Sequence, residues 1–198
     1  MLGLLVAKLP EGGPFGGLRS QRLSTVIETR AEARKWRFIV IHHSATVQGS
    51  ASKFEIFHML YRGWAHIGYH FVIGNGTDTG DGRIEPTPVW VNQIPGIHAR
   101  NRTYNEWGIA VCLVGNFDQT RPTELQMKAL VGLAAALTKK FHIPPSDVTY
   151  HNHIVETDCP GKLFPYAEFQ ARLEKALSQP LEVVYYKPAA KPAQEKPR

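Results

Sequence analysis

Three short stretches of the chain carry residues able to hold a metal ion: His42 and His43 in Ile-His-His-Ser, His151 and His153 in His-Asn-His, and Cys159 in Asp-Cys-Pro-Gly. Each falls where a predicted strand or its exit loop ends, so folding can bring them together. Two imidazoles and one thiolate, as in the set His42, His151 and Cys159, suit a borderline-soft ion such as zinc. Three protein ligands leave a fourth position open for water. Such an open site does chemistry, where a closed four-ligand site holds a fold together. Spacing alone does not choose among the four histidines. His42 and His43 on a strand point to opposite faces, and a single His at a strand end is more often a hydrogen-bonded structural residue. His151 and His153, two apart, would share a face on a continuing strand.

The elements that must position these residues alternate between strands and helices. Residues 37–42 form a mostly apolar run, consistent with a central strand buried on both faces. From about Ser52 to Gly63 the spacing of Phe54, Phe57, Leu60 and Tyr61 predicts a helix, capped by Ser52 and stopped by Gly63. Residues 67–73 read as a second strand. Asn75-Gly76 and Asp81-Gly82 then supply turn residues before a return strand over 83–90, which Pro86 and Pro88 make short or confine to an edge. A loop through His98 to Asn105 leads to a third apolar run, Ile109–Val114. Thr123-Glu124-Leu125-Gln126 reads as a capping box opening a helix with Leu130, Leu133, Leu137 and Phe141 on one face. A short strand over 147–151 and a last helix from about Tyr166 to Leu177 follow. The pattern is that of an α/β domain, a mixed sheet covered by helices.

Within 198 residues this domain occupies about 36–180. Residues 1–35 read as a flexible extension leading into a short helix, and 181–198 as a disordered basic Pro/Ala/Lys-rich tail. The net charge of +6 resides in residues 1–35 and 187–198, since residues 36–186 carry thirteen basic and thirteen acidic side chains. A groove that tracks phosphates would place the excess on the folded body, so nucleic acid is not expected as a partner. No run approaches the length of a transmembrane span. Lys8, Pro10 and Glu11 cut short the apolar start, so no clear signal peptide is read. Cys112 lies in Ile-Ala-Val-Cys-Leu-Val and behaves as a small buried hydrophobe. The domain is expected to act as a monomer.

Four blocks occur in order: Ile-Val-Ile-His-His-Ser-Ala-Thr (39–46), Gly-Trp-Ala-His-Ile-Gly-Tyr-His-Phe-Val-Ile (63–73), Ile-Ala-Val-Cys-Leu-Val-Gly-Asn (109–116) and His-Asn-His-Ile-Val-Glu-Thr-Asp-Cys-Pro-Gly (151–161). Together they closely resemble the zinc N-acetylmuramoyl-L-alanine amidases of the type 2 family, which includes phage amidases and animal peptidoglycan recognition proteins. The resemblance implies a central mixed sheet with helices packed on it, a Zn2+ cofactor, and His42, His151 and Cys159 as its ligands. It implies peptidoglycan or a muropeptide fragment as substrate. Tyr69 matches a family tyrosine near the metal that donates or relays a proton, Thr157 a position that contacts the oxyanion, and His98 a histidine lining the substrate groove. Taken alone, Tyr69 is a core aromatic, Thr157 a loop hydroxyl bonding its own backbone, and His98 an exposed loop residue. His70 faces away from Tyr69 and reads as structural.

Bound zinc lowers the pKa of a water towards ~7 and polarises a carbonyl, and the tetrahedral intermediate needs donors at its oxyanion. An intracellular recycling branch that resembles the family has Glu in place of Cys112 and Asp in place of Cys159. That Glu is a candidate base there, so here Tyr69 or a water takes its place. Three functions follow. The leading one is a zinc amidase cutting the bond between N-acetylmuramic acid and L-Ala. The second is a non-catalytic peptidoglycan-binding module, which would not need an open metal site. The third is a metal nuclease, suggested by the literal His-Asn-His and opposed by the neutral body.

Overall fold

The computed structural model describes residues 17–179 and 182–189. A five-stranded mixed sheet organises them, in the order β4-β3-β5-β2-β6. Its strands are β2 (Phe38–His43), β3 (Phe71–Ile73), β4 (Ile84–Pro86), β5 (Gly108–Leu113) and β6 (Val148–Tyr150). β2 is parallel to both β5 and β6, β3 is parallel to β5, and only the edge strand β4 runs antiparallel. β2 and β5 are interior strands, which is why their sequences are apolar almost without interruption.

The two faces of the sheet bury different clusters. Ile39, Ile41, Ile109, Val111 and Leu113 join the large core with α5 (Glu124–Phe141) and α6 (Tyr166–Leu177). Val72, Cys112 and Val114 join a smaller cluster with Phe54 of α2 (Ala51–Leu60). Strand alternation places His42 with the second face and His43 with the first. The Thr123 capping box opens α5 as its sequence predicts, with Gln126 as the reciprocal partner. Gln126 also donates from Nε2 to the buried carbonyls of Ile73 (3.2 Å) and Val114 (2.9 Å), pinning α5 to the ends of β3 and β5. Gln126→Leu orphans the Val114 carbonyl, takes one of two donors from the Ile73 carbonyl, which keeps Val114 N–H at 2.9 Å, and removes half the box. It is expected to lower unfolding free energy by about 2–3 kcal/mol in urea denaturation, whereas a change under about 0.5 kcal/mol would mean the contacts are idle.

Several expectations are corrected. The cap of α2 is Ser50, whose Oγ accepts from Lys53 N–H at 3.3 Å, and not Ser52. The strand expected over 67–73 is regular only from Phe71, because Gly68 is engaged elsewhere: its N–H donates to His58 Nδ1 and its carbonyl accepts from Ile97 N–H. A Cβ at Gly68 would stand 2.4 Å from the Ile97 oxygen, so the position requires glycine. The return strand is short and at the edge as expected, and Pro88 opens a one-turn helix, α3 (Pro88–Val91). The loop before β5 contains α4 (Arg102–Trp107), capped by Asn101.

The chain ends differ from expectation in part: the short helix expected within 1–35 is present, but strands stand where an extension and a tail are expected. Residues 1–16 and 190–198, part of the expected extension and tail, lie outside the described residues. Within the described ones, β1 (Arg19–Arg22) and β7 (Val183–Tyr186) pair antiparallel. Between β1 and β2 runs the short helix α1 (Leu23–Val26), and Leu23, Val26, Trp36 and Val184 are buried. Val-Val-Tyr-Tyr is β-branched and aromatic, and the Lys/Pro/Ala composition that reads as a tail begins only after it. No helix among the described residues is long and apolar enough to cross a membrane.

Candidate active site

β2 and β6 deliver His42 and His151 to the same edge of the sheet. Both strands are parallel, so their carboxyl ends lie side by side, the usual place for a site in such a sheet. His42 is the fifth residue of β2, and His151 begins a single 3-10 turn directly after β6. Because the chain turns there, His153 does not share a face with His151; it is exposed and stacks on Tyr166. Cys159 arrives on the following loop, which Asn152 N–H ties back through the Cys159 carbonyl at 2.9 Å.

The ligand atoms of His42, His151 and Cys159 lie within 4.8 Å of one another. Cys159 Sγ is 3.6 Å from His42 Nδ1. Ligands at zinc bond lengths and tetrahedral angles stand about 3.5 Å apart, so this pair already has the spacing of a shared ion. The donor chemistry agrees. Burial lowers the pKa of His42 well below the usual value and that of His151 to about 4, so both imidazoles are neutral. His151 Nε2 is buried with no hydrogen-bond partner. Burial also pushes the Cys159 thiol up to about 12, so the sulfur becomes anionic only against a cation. His43 N–H points at that sulfur from 3.4 Å. The His43 ring turns to the other face, where its Nδ1 accepts from Phe117 N–H. The residues fit zinc, with His42, His151 and Cys159 able to hold it.

Around this set lies a groove of about 560 Å3 lined by Tyr69, His98, Trp64, His58 and Arg100 among others. His98 is buried rather than exposed, and its Nδ1 meets His42 Nε2 at 3.1 Å. It is held there because Asn105 Oδ1 accepts from the backbone N–H groups of His98 and Ala99 at 2.9 and 2.8 Å. The Tyr69 ring stands 5.5 Å from that of His42, and burial raises its phenol well above the usual pKa, so it stays protonated. Thr157 Oγ1 accepts from Cys159 N–H at 3.4 Å, which shapes the ligand loop. His70 is fully buried and bonded at both ring nitrogens, to Ala110 N–H and the Ile94 carbonyl. Cys112 lies beneath the groove at the level of His42 on the neighbouring strand, buried and free.

The family model for N-acetylmuramoyl-L-alanine amidase matches residues 32–162, which contain His42, His151 and Cys159. The chain belongs to the N-acetylmuramoyl-L-alanine amidase family. Peptidoglycan-recognition protein SC2 of Drosophila melanogaster is 31% identical over 133 residues, which are 63% of this chain and 67% of that protein. An N-acetylmuramoyl-L-alanine amidase of Sus scrofa is 28% identical over 140 residues, 63% of this chain and only 21% of the relative. Among solved structures, the amidase LysC from Clostridium intestinale superposes with a TM-score of 0.61 at 31% identity, covering 71% of this chain and 86% of LysC. Drosophila PGRP-LB superposes at 0.56 with 26% identity, covering 82% and 88%; a mutant of it has been solved in complex with tracheal cytotoxin.

Three groove residues of this amidase-family chain escape a reading of the sequence. His58 is buried on α2, accepts from Gly68 N–H at 3.1 Å, and packs on Trp64 and Tyr69. Its only sequence signal is a polar residue on the apolar side of a helix. Arg62 and Arg100 also line the groove, on loops that carry no periodicity to mark them.

Proposed function

We propose that the chain is a zinc amidase that hydrolyses the amide between the lactyl group of N-acetylmuramic acid and the L-Ala of the stem peptide, in peptidoglycan or its fragments. The convergence of two neutral imidazoles and a buried thiol within 4.8 Å carries this reading, because a module that only binds wall has no use for an open metal site. Zinc held there supplies Lewis acidity towards a water and the scissile carbonyl.

The chain's own residues do the rest. Tyr69, kept protonated by burial, donates its phenolic hydrogen to the charge that develops on the carbonyl oxygen. The Thr157 hydroxyl accepts from Cys159 N–H and keeps its own hydrogen for the same oxyanion. No Asp or Glu lines the groove among the described residues. The proton that must reach the leaving amine therefore travels by the Tyr69 phenol or by water in the groove. His98 orients His42 through the contact to Nε2. His98→Ala is expected to weaken zinc about 10–100-fold in a chelator competition; unchanged affinity would show that the contact does not steer the ligand.

The test that separates enzyme from binding module is incubation of zinc-loaded protein with purified peptidoglycan. The amidase reading expects soluble stem peptides with a free N-terminal Ala. Retention on the wall without such peptides would establish the binding module instead.

A further inference from the structure

The walls of the groove differ in chemistry. The loop leaving β2 contributes Ser44, Thr46 and Gln48, short polar groups that suit peptide amides, whereas the end of α2 and the turn after it contribute Phe57, Arg62 and Trp64. The aromatic wall does not stop at the groove. Phe57 stacks on Tyr61, with ring centroids 5.6 Å apart and planes 25° apart, as their four-residue spacing on a helix end allows. The two are 45% and 76% exposed, and neither belongs to a buried cluster. The Arg62 guanidinium lies 5.8 Å from the Phe57 centroid. Among the described residues Arg62 makes no ion pair. An exposed aromatic step that continues a substrate groove marks an interaction surface.

We propose that Phe57, Tyr61 and Arg62 form a saccharide subsite on which a pyranose ring of the glycan strand stacks, so that the chain prefers polymeric peptidoglycan to released muropeptides. The inference rests on the amidase reading above. The amide to be cut joins a peptide to a sugar that remains in its strand, so on a polymer the glycan must leave the groove along one wall. Pyranose rings present C–H faces that gain dispersion and apolar burial against an aromatic plane. Their hydroxyl and acetamido oxygens accept hydrogen bonds from a guanidinium. A lipid surface would instead use the exposed aliphatic residues of the same helix, Ile56, Met59 and Leu60, which do not line the groove.

Tyr61→Ala and Tyr61→Phe test the subsite, because Tyr61 is exposed and outside the cores. With zinc-loaded proteins, kcat/KM is compared on intact sacculi and on a single-sugar muramyl tripeptide. Tyr61→Ala is expected to lose about tenfold on sacculi and to match the parent on the fragment, with Tyr61→Phe restoring the sacculus rate. Equal loss on both substrates, or no loss on sacculi, overturns the proposal. Co-sedimentation with insoluble glycan strands stripped of their peptides gives a readout independent of hydrolysis. Loss of retention by Tyr61→Ala supports the subsite even if the parent protein cuts neither substrate, the outcome that would refute the amidase reading alone. Unchanged retention overturns the subsite. Loss of binding to anionic phospholipid vesicles in place of glycan also overturns it and assigns the surface to lipid.

Discussion

Cys159→Ala is expected to reduce zinc that survives dialysis from stoichiometric to background, with the fold retained. The sulfur stands 3.6 Å from His42 Nδ1, and it is the only ligand of the three that brings negative charge. Burial holds its proton, with a pKa of about 12, so a cation must displace that proton to gain a thiolate. Alanine leaves two neutral imidazoles, and two neutral donors with no thiolate fall short of the three-ligand set such sites use. Cys159 belongs to neither hydrophobic cluster, so the near-ultraviolet spectrum and urea midpoint of the variant stay close to those of the parent. Metal analysis decides the matter: zinc content equal to the parent's would mean the ligand set is wrong.

Tyr69→Phe removes one oxygen and keeps the ring between His42 and His58. The expected result is a fall in kcat of about 10²-fold, the cost of losing one oxyanion donor, with zinc content and KM close to parental. A ground-state contact would instead raise KM with kcat intact. Parental kcat would return Tyr69 to the role of a core aromatic. The hydroxyl carries the prediction because burial keeps it protonated, and a protonated phenol donates to an oxyanion at neutral pH.

What the sequence made legible follows from how local each signal is. β2 and β5 are interior parallel strands, and burial on both faces writes itself as an unbroken apolar run. The α5 cap is visible because its two partners lie three residues apart. α4 is missed because Arg-Thr-Tyr-Asn-Glu-Trp buries no residue fully and so has no periodicity, leaving the Asn101 cap as its only mark. The β1–β7 ribbon joins segments more than 160 residues apart, and neither strand is recognisable until the other is beside it.

The site divides in the same way. His42 and His151 stand at the ends of readable strands and Cys159 on the loop that follows, so their convergence could be anticipated. The contact between His98 and His42 could not, since it depends on a loop that Asn105 folds back through two backbone hydrogen bonds. Spacing alone leaves His151 and His153 equivalent and only the family resemblance favours His151; the physical reason is that β6 ends in a 3-10 turn instead of continuing.

The most direct test of the central claim is digestion of purified peptidoglycan in heavy-oxygen water, with mass spectrometry of both products. Hydrolysis of the lactyl amide by this site, with zinc-loaded protein, predicts stem peptides beginning with unlabelled L-Ala and glycan whose lactyl carboxylate carries one heavy oxygen, neither of which forms with His42→Ala. Intact amide bonds after prolonged incubation, or label at any other bond, would contradict it.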